Sequence, residues 1–273
     1  MADNEITWVN PFDTSMEGIS HNTFFSQTIK TEVGYSIYTP TGYNECRDKY
    51  PLIYWLHGKG GDESTGPLYG IARFLHEAII SGRLPPSIMV FPNGAGYSMF
   101  SDSFDGKIPV ETIIIKELIP YIDKNYRTTA SRSGRGLEGF SMGGNGALKL
   151  AFKFPELFCS VISYGGSFHD LESVSKGRPK VFKEIFGNKC ALYQKNNVFE
   201  LAALNRRRIR GKINLKFVVG TQDFTISNNL RLFRLLDTLK IGYRKEILEG
   251  FQHIVEPYYR YKGVENFKLH FKC

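Results

Sequence analysis

No stretch of this 273-residue chain holds the roughly 18 consecutive apolar residues that a bilayer-spanning helix needs, and no membrane association is expected. Cysteine is scarce and scattered. Cys46, Cys159, Cys190 and Cys273 lack the C-x-x-C spacing of a metal or redox site, and free thiols in a reducing compartment are the expectation. The N-terminal MADNEITWVN has no basic segment leading into an apolar one, so no secretory signal is visible and a cytoplasmic location is expected. There is no internal repeat. The 35 Lys and Arg against 27 Asp and Glu give a formal charge of +8, with Arg206, Arg207, Arg208, Arg210 and Lys212 as the densest cluster. No nucleic-acid motif or interleaved aromatic pattern accompanies that cluster, so it reads as a solvated basic face and no nucleic-acid partner is expected.

What is present is an alternation of β-rich and helix-periodic segments. Thr23 to Ile29 and Val33 to Thr39 flank a polar turn, the pattern of an antiparallel hairpin. Leu52 to Leu56, Ser87 to Phe91, Leu137 to Phe140, Val161 to Tyr164, Leu215 to Val219 and Arg244 to Leu248 read as further strands. The unbroken apolar runs among them suit parallel strands with both faces covered. Between them, Pro67 to Gly82, Val110 to Tyr126, Asn145 to Phe154 and Asn229 to Ile241 carry apolar residues at helical spacing, with a bend expected at Pro120. This alternation predicts an α/β fold, a mostly parallel sheet covered on both faces. One domain over 1–273 is expected from the length, with a basic, weakly periodic excursion at 167–211 lying over the top of the sheet.

Chemistry in such sheets gathers at the carboxyl ends of the strands. The strand Leu137 to Phe140 runs into Gly139, Phe140, Ser141, Met142, Gly143, Gly144, a G-x-S-x-G turn. Glycines on both sides of the serine permit a sharp strand-to-helix reversal that exposes its hydroxyl. A helix cap is the bland alternative. A serine nucleophile needs a base, and the base needs an acid to orient it. His253 follows the last strand and Asp223 follows the strand before it, so Ser141, Asp223 and His253 form the expected catalytic set. His169, after the strand that follows Ser141, is the rival base; Asp223 capping a helix is the competing reading for the acid. His21, His76 and His270 fall away from the active edge, His270 in the tail. The backbone N–H groups of Met142 and of Lys59, within His57-Gly58-Lys59-Gly60-Gly61, are the expected oxyanion donors. Glu138, a carboxylate inside a strand, reads as a buried paired group that orders the turn, or as one that tunes the site.

In combination, YWLHGKGGDE, FPNGAGYSMFSDS, ETIIIKELIPYIDKNYRT, GLEGFSMGGNGALKLAFKFPELF, VVGTQD and EGFQH resemble the esterase D family of α/β-hydrolases, which includes feruloyl esterases and S-formylglutathione hydrolases. The resemblance runs from about Phe25 to about His253. It implies the same Ser141, Asp223 and His253 triad and the Lys59 and Met142 oxyanion donors. It also implies that the segment Met99, Phe100, Ser101, Asp102 lines the substrate pocket; His57, in a backbone role, and Gly58, whose lack of a side chain lets the backbone approach closely, are expected beside the substrate as well. The expected function is a serine carboxylesterase acting through an acyl-enzyme on a small-molecule ester, without metal or organic cofactor. Acyl transfer, hydrolysis of a siderophore ester or lactone, and a non-catalytic binding protein on the same scaffold are the alternatives. A homodimer is allowed.

Overall fold

The computed structural model describes residues 6–273, and the first five residues of the N-terminal reading lie outside them. Ile19–Ser26 (β1) and Thr31–Tyr38 (β2) pair antiparallel around a turn at Lys30, with Ser26 opposite Thr31. The remaining strands are Leu52–Leu56 (β3), Ile88–Pro92 (β4), Arg135–Phe140 (β5), Ser160–Tyr164 (β6), Asn214–Gly220 (β7) and Arg244–Leu248 (β8). They form one eight-stranded sheet in the order β1-β2-β4-β3-β5-β6-β7-β8. β2 joins β4 antiparallel, and every pairing from β4 to β8 is parallel. β3, β4 and β6 are buried at all five positions, as interior strands should be; β3 and β4 are apolar throughout, whereas β6 carries Ser160 and Ser163. β8 closes the sheet at an edge, where Arg244, Lys245 and Glu246 place charge against edge-to-edge association.

Helices cover both faces. On one side Ile114, Leu118, Leu148 and Phe152 pack beneath Tyr54, Leu137 and Phe217. On the other Ile71, Leu75, Tyr258 and Tyr259 pack against Ile53, Trp55 and Tyr164. The predicted helix around Pro120 consists of α-helical Val110–Thr112, a π-helical stretch Ile113–Leu118 and α-helical Ile119–Asn125. Proline has no N–H and its ring crowds the carbonyl one turn earlier, so a widened turn just before it relieves the conflict. Residues 167–211 hold five short helices: Leu171–Gly177, Pro179–Glu184, Cys190–Gln194, Val198–Leu204 and Arg206–Ile209. Each is too short to persist without tertiary support. Asn205 Nδ2 donates to the Phe152 carbonyl, tying this segment to the helix that follows Ser141.

After β8 the chain forms the helix Val255–Phe267 and a short 3-10 turn, Lys268–Phe271, which returns the C-terminus to the start of β6. There Cys159 and Cys273 are joined in a disulfide, with Cα atoms 5.9 Å apart. The expectation of free thiols is therefore corrected for this pair, while Cys46 and Cys190 are free. A separation of 114 residues hid the proximity, which only the returning helix creates. With Cys159 and Cys273 oxidised, the cysteines no longer point to a reducing compartment. No helix among the described residues is long and apolar enough to cross a membrane.

Closing so long a loop stabilises a fold by about 2–4 kcal/mol. Dithiothreitol should lower the thermal unfolding midpoint by roughly 5–15 °C, and Cys159→Ser should abolish that response. An unchanged midpoint under reductant would contradict the covalent tie.

Candidate active site

β5 delivers the chain to Ser141, whose φ of 57° and ψ of −114° lie in a region that side-chain-bearing residues rarely occupy. The helix Met142–Lys153 begins at the next residue. A Cβ on Gly139 would meet the Gly143 carbonyl carbon at 2.3 Å, and one on Gly143 would meet the Leu56 oxygen at 1.9 Å. Only glycine allows strand and helix to approach this closely. The turn is pinned by three backbone bonds: Ser141 N–H donates to Tyr164 O, and Ser141 O accepts from Asn145 N–H and Ser167 N–H. Ser141 makes no side-chain cap bond to its helix, so its hydroxyl is left for another partner.

That partner is His253, in the loop after β8. Ser141 Oγ lies 2.8 Å from His253 Nε2, and His253 Nδ1 lies 2.8 Å from Asp223 Oδ2 and 2.9 Å from Oδ1. The structure brings the three predicted residues together from the ends of β5, β7 and β8. Asp223 is almost fully buried, yet it is well supplied with donors. Thr225 gives its N–H at 2.8 Å and its hydroxyl at 2.7 Å to Oδ1, and the Tyr258 hydroxyl donates to Oδ2 at 2.8 Å. Burial pushes the Asp223 carboxyl up, but the bonds from His253 and Thr225 outweigh it and hold the group below the usual carboxylate range. The ionised carboxylate fixes the proton of His253 on Nδ1 and leaves Nε2 to face the serine. Phe140 and Phe224 flank the imidazole, with ring centroids 4.5 and 4.3 Å away.

Ser141 and His253 open onto a cavity of about 370 Å³ lined by Gly58, Lys59, Tyr69, Phe140, Arg178 and Phe224 among others. Lys59 and Gly58 thus reach the site as expected. Among the described residues, the N–H groups of Lys59 and Met142 have no protein acceptor, whereas Gly60 donates to Gly96 O and Gly61 to Gly58 O. His57 lies behind the loop. Its Nδ1 donates to Gly58 O at 2.8 Å and its Nε2 accepts from Gly94 N–H at 2.9 Å, so both ring nitrogens are occupied in shaping the backbone. Met99, Phe100, Ser101 and Asp102 are not brought to the cavity. Phe100 is fully buried with its ring 5.2 Å from that of His57, and Asp102 accepts from Thr112 N–H and hydroxyl. Lys149 holds this segment from beneath, bonding the Phe100 carbonyl and Ser101 Oγ while it pairs with Glu111 at 3.2 Å. Burial lowers the Lys149 ammonium to about 8 against the opposing pull of Glu111.

Glu138 is a paired buried carboxylate. It accepts from the Tyr259 hydroxyl at 2.6 Å and lies 3.0 Å from His270 Nε2, whose other nitrogen meets Ser160 Oγ at 2.7 Å. Trp55 Nε1 donates to the same Tyr259 hydroxyl. The position of His270 in the tail concealed this role. His169, the rival base, meets Ser167 Oγ at 2.8 Å and accepts from Arg178 Nε at 2.9 Å through its Nε2. Residues missed from the sequence include Tyr258 and Thr225, which support Asp223, and Tyr69, Arg178 and Phe224, which line the cavity. Thr225 carried a signal, since an Asp-x-Thr sequence favours this local bond.

Burial pushes His57 down to about 4. The unfolded chain takes up that proton near pH 6.5, so it binds more protons than the folded protein between about 6.5 and 4. Stability should be complete above about pH 6.5 and fall as the pH drops towards 4, with His57 accounting for up to about 3 kcal/mol. Urea unfolding across this window, compared with His57→Gln, checks the assignment. A wild-type slope no steeper than that of the variant would contradict it.

Residues 26–223 match the family model described as "Putative esterase". An esterase of Mycobacterium tuberculosis is 36% identical over 148 residues, which cover 52% of this chain and 31% of that protein. An endo-1,4-beta-xylanase/feruloyl esterase of Xylanibacter ruminicola is 30% identical over 185 residues, 64% of this chain and 25% of that protein. The matched part is thus about a third or less of those relatives' own length. Among solved structures, a ferulic acid esterase superposes with a TM-score of 0.77 at 21% identity, over 93% of this chain and 98% of that one, in accord with the expected α/β-hydrolase fold. With most of its length inside the family match, the chain belongs to this esterase family.

Proposed function

We propose that the chain is a serine carboxylesterase that carries the acyl group of its substrate on Ser141. The observation that supports this most strongly is the relay from Ser141 Oγ to His253 Nε2 and from His253 Nδ1 to Asp223, at 2.8 Å for each step. In this reading Ser141 Oγ attacks the ester carbonyl as His253 Nε2 removes its proton. The oxyanion that forms is stabilised by the Met142 and Lys59 N–H groups and by the start of the helix behind Ser141. The imidazolium then protonates the departing alkoxide, leaving the acyl group on Ser141. Water, deprotonated by His253, attacks that acyl carbonyl and restores the serine.

A cavity of about 370 Å³ suits a small or medium acyl or aryl ester. Phe224 at its edge is 67% exposed, and Lys59 and Tyr69 are also exposed. Open access of this kind favours water over a bound alcohol as the second acceptor, hence hydrolysis over acyl transfer. A small-molecule ester is the proposed partner.

A fluorophosphonate probe should label the protein, and Ser141→Ala should remove the label. With 4-nitrophenyl esters, Ser141→Ala and His253→Ala should each reduce kcat by at least about 10⁴-fold, and the double variant should be little worse than either single one. An unlabelled parent protein, or losses that multiply in the double variant, would sink the proposal.

A further inference from the structure

Arg178 comes from the excursion over the sheet, yet it lines the same cavity as Ser141 and His253. Its backbone is held firmly. Arg178 N–H donates to Val174 O and its carbonyl accepts from Phe182 N–H, so it joins the helices Leu171–Gly177 and Pro179–Glu184, with Pro179 stiffening the junction. Its side chain is held along one edge only. Nε donates to His169 Nε2 at 2.9 Å and Nη2 donates to Ser167 Oγ at 3.2 Å. His169 is itself anchored, its carbonyl accepting from the Tyr193 hydroxyl and from Asn197 Nδ2.

The partners of Arg178 are both neutral. Burial, with the Arg178 charge adding to it, lowers His169 to about 4, so its ring is uncharged and accepts at Nε2. No carboxylate among the described residues lies within salt-bridge distance of Arg178, and the nearby Asp170 is paired with Arg231 at 2.7 Å. The residues lining the cavity include two cations, Lys59 and Arg178, and no acid. Arg178 Nη1 donates to nothing among the described residues, so the end of the guanidinium, with its parallel N–H groups, is unengaged. A half-buried cation oriented by neutral acceptors and left without a counter-charge is complementary to an anion from outside. The planar two-donor edge matches a carboxylate.

Resting on the esterase reading above, we propose that Arg178 is a specificity-determining residue that recognises a carboxylate on the substrate, held by His169 and Ser167 so that its free edge faces the cavity. The substrate class is therefore an ester that bears a second, ionised carboxyl group within reach of the scissile bond.

Two matched pairs test this in the wild-type protein, in Arg178→Gln and in Arg178→Lys. 4-Acetoxybenzoate against its methyl ester carries the charge on the leaving group. The mono-4-nitrophenyl ester of adipic acid against its methyl diester carries it on the acyl group. The readout is kcat/KM for the charged ester divided by that for the neutral one, a ratio that cancels any general loss of activity in a variant. In at least one pair the wild-type ratio should be about tenfold or more, Arg178→Gln should lower it by about that factor, and Arg178→Lys should retain part of it. A wild-type ratio at or below one in both pairs overturns the proposal, as does a ratio that Arg178→Gln leaves unchanged. Absence of turnover on every ester together with absence of fluorophosphonate labelling overturns the esterase reading instead, and this inference with it.

Discussion

The site depends on one strained backbone turn. Ser141 occupies a left-handed φ with an extended-side ψ, a conformation that costs a side-chain-bearing residue on the order of 1–3 kcal/mol. The surrounding structure over-determines it. β5 lies between β3 and β6 in the middle of the sheet, the helix after Ser141 packs against those strands, and Gly139 and Gly143 permit the contact. The three backbone bonds of Ser141 leave the turn little alternative. Because the strain points the hydroxyl out of the sheet, the other groups need only arrive at fixed places around it.

Those arrivals depend on the C-terminal helix more than on any other element. Tyr258 and Tyr259 are adjacent, yet one bonds Asp223 and the other bonds Glu138. Tyr258 also accepts from Gly220 N–H at the end of β7, which fixes the approach of Asp223. Glu138 lies three residues before Ser141, in the strand that delivers it. One helical turn thus holds both the acid that orients His253 and the strand that presents the nucleophile. His270 and the Cys159–Cys273 bond secure the end of the same segment against β6. Glu138, Tyr259 and His270 are buried but paired with one another, which is the condition under which such a network stiffens a core.

Much of this was legible in the sequence because it is local. The apolar runs of β3 and β4, the glycines around Ser141, and the placement of Asp223 and His253 just after strands are all short-range signals. What was not legible depends on pairs far apart in the chain. Glu138 was recognisable as a buried carboxylate, but its partners lie 121 and 132 residues away. The disulfide spans 114 residues, and the helix that makes it possible follows His253 in a segment read as a tail. Met99 to Asp102 was expected at the pocket from family resemblance; the structure instead holds the segment beneath the loop by Lys149, a contact between a helix and a loop that periodicity does not encode. Arg178 sits in the weakly periodic stretch, where pattern offers least guidance.

The acyl group on Ser141 is the most direct point at which to test this account. The protein would be mixed with excess 4-nitrophenyl acetate, quenched in acid within the first turnovers, digested, and the peptide bearing Ser141 weighed. An acetyl group is expected on that serine at early times, lost as the substrate is consumed and absent in Ser141→Ala. Ester turnover with no acyl group on Ser141 at any quench time, and with Ser141→Ala as active as the parent, would contradict it.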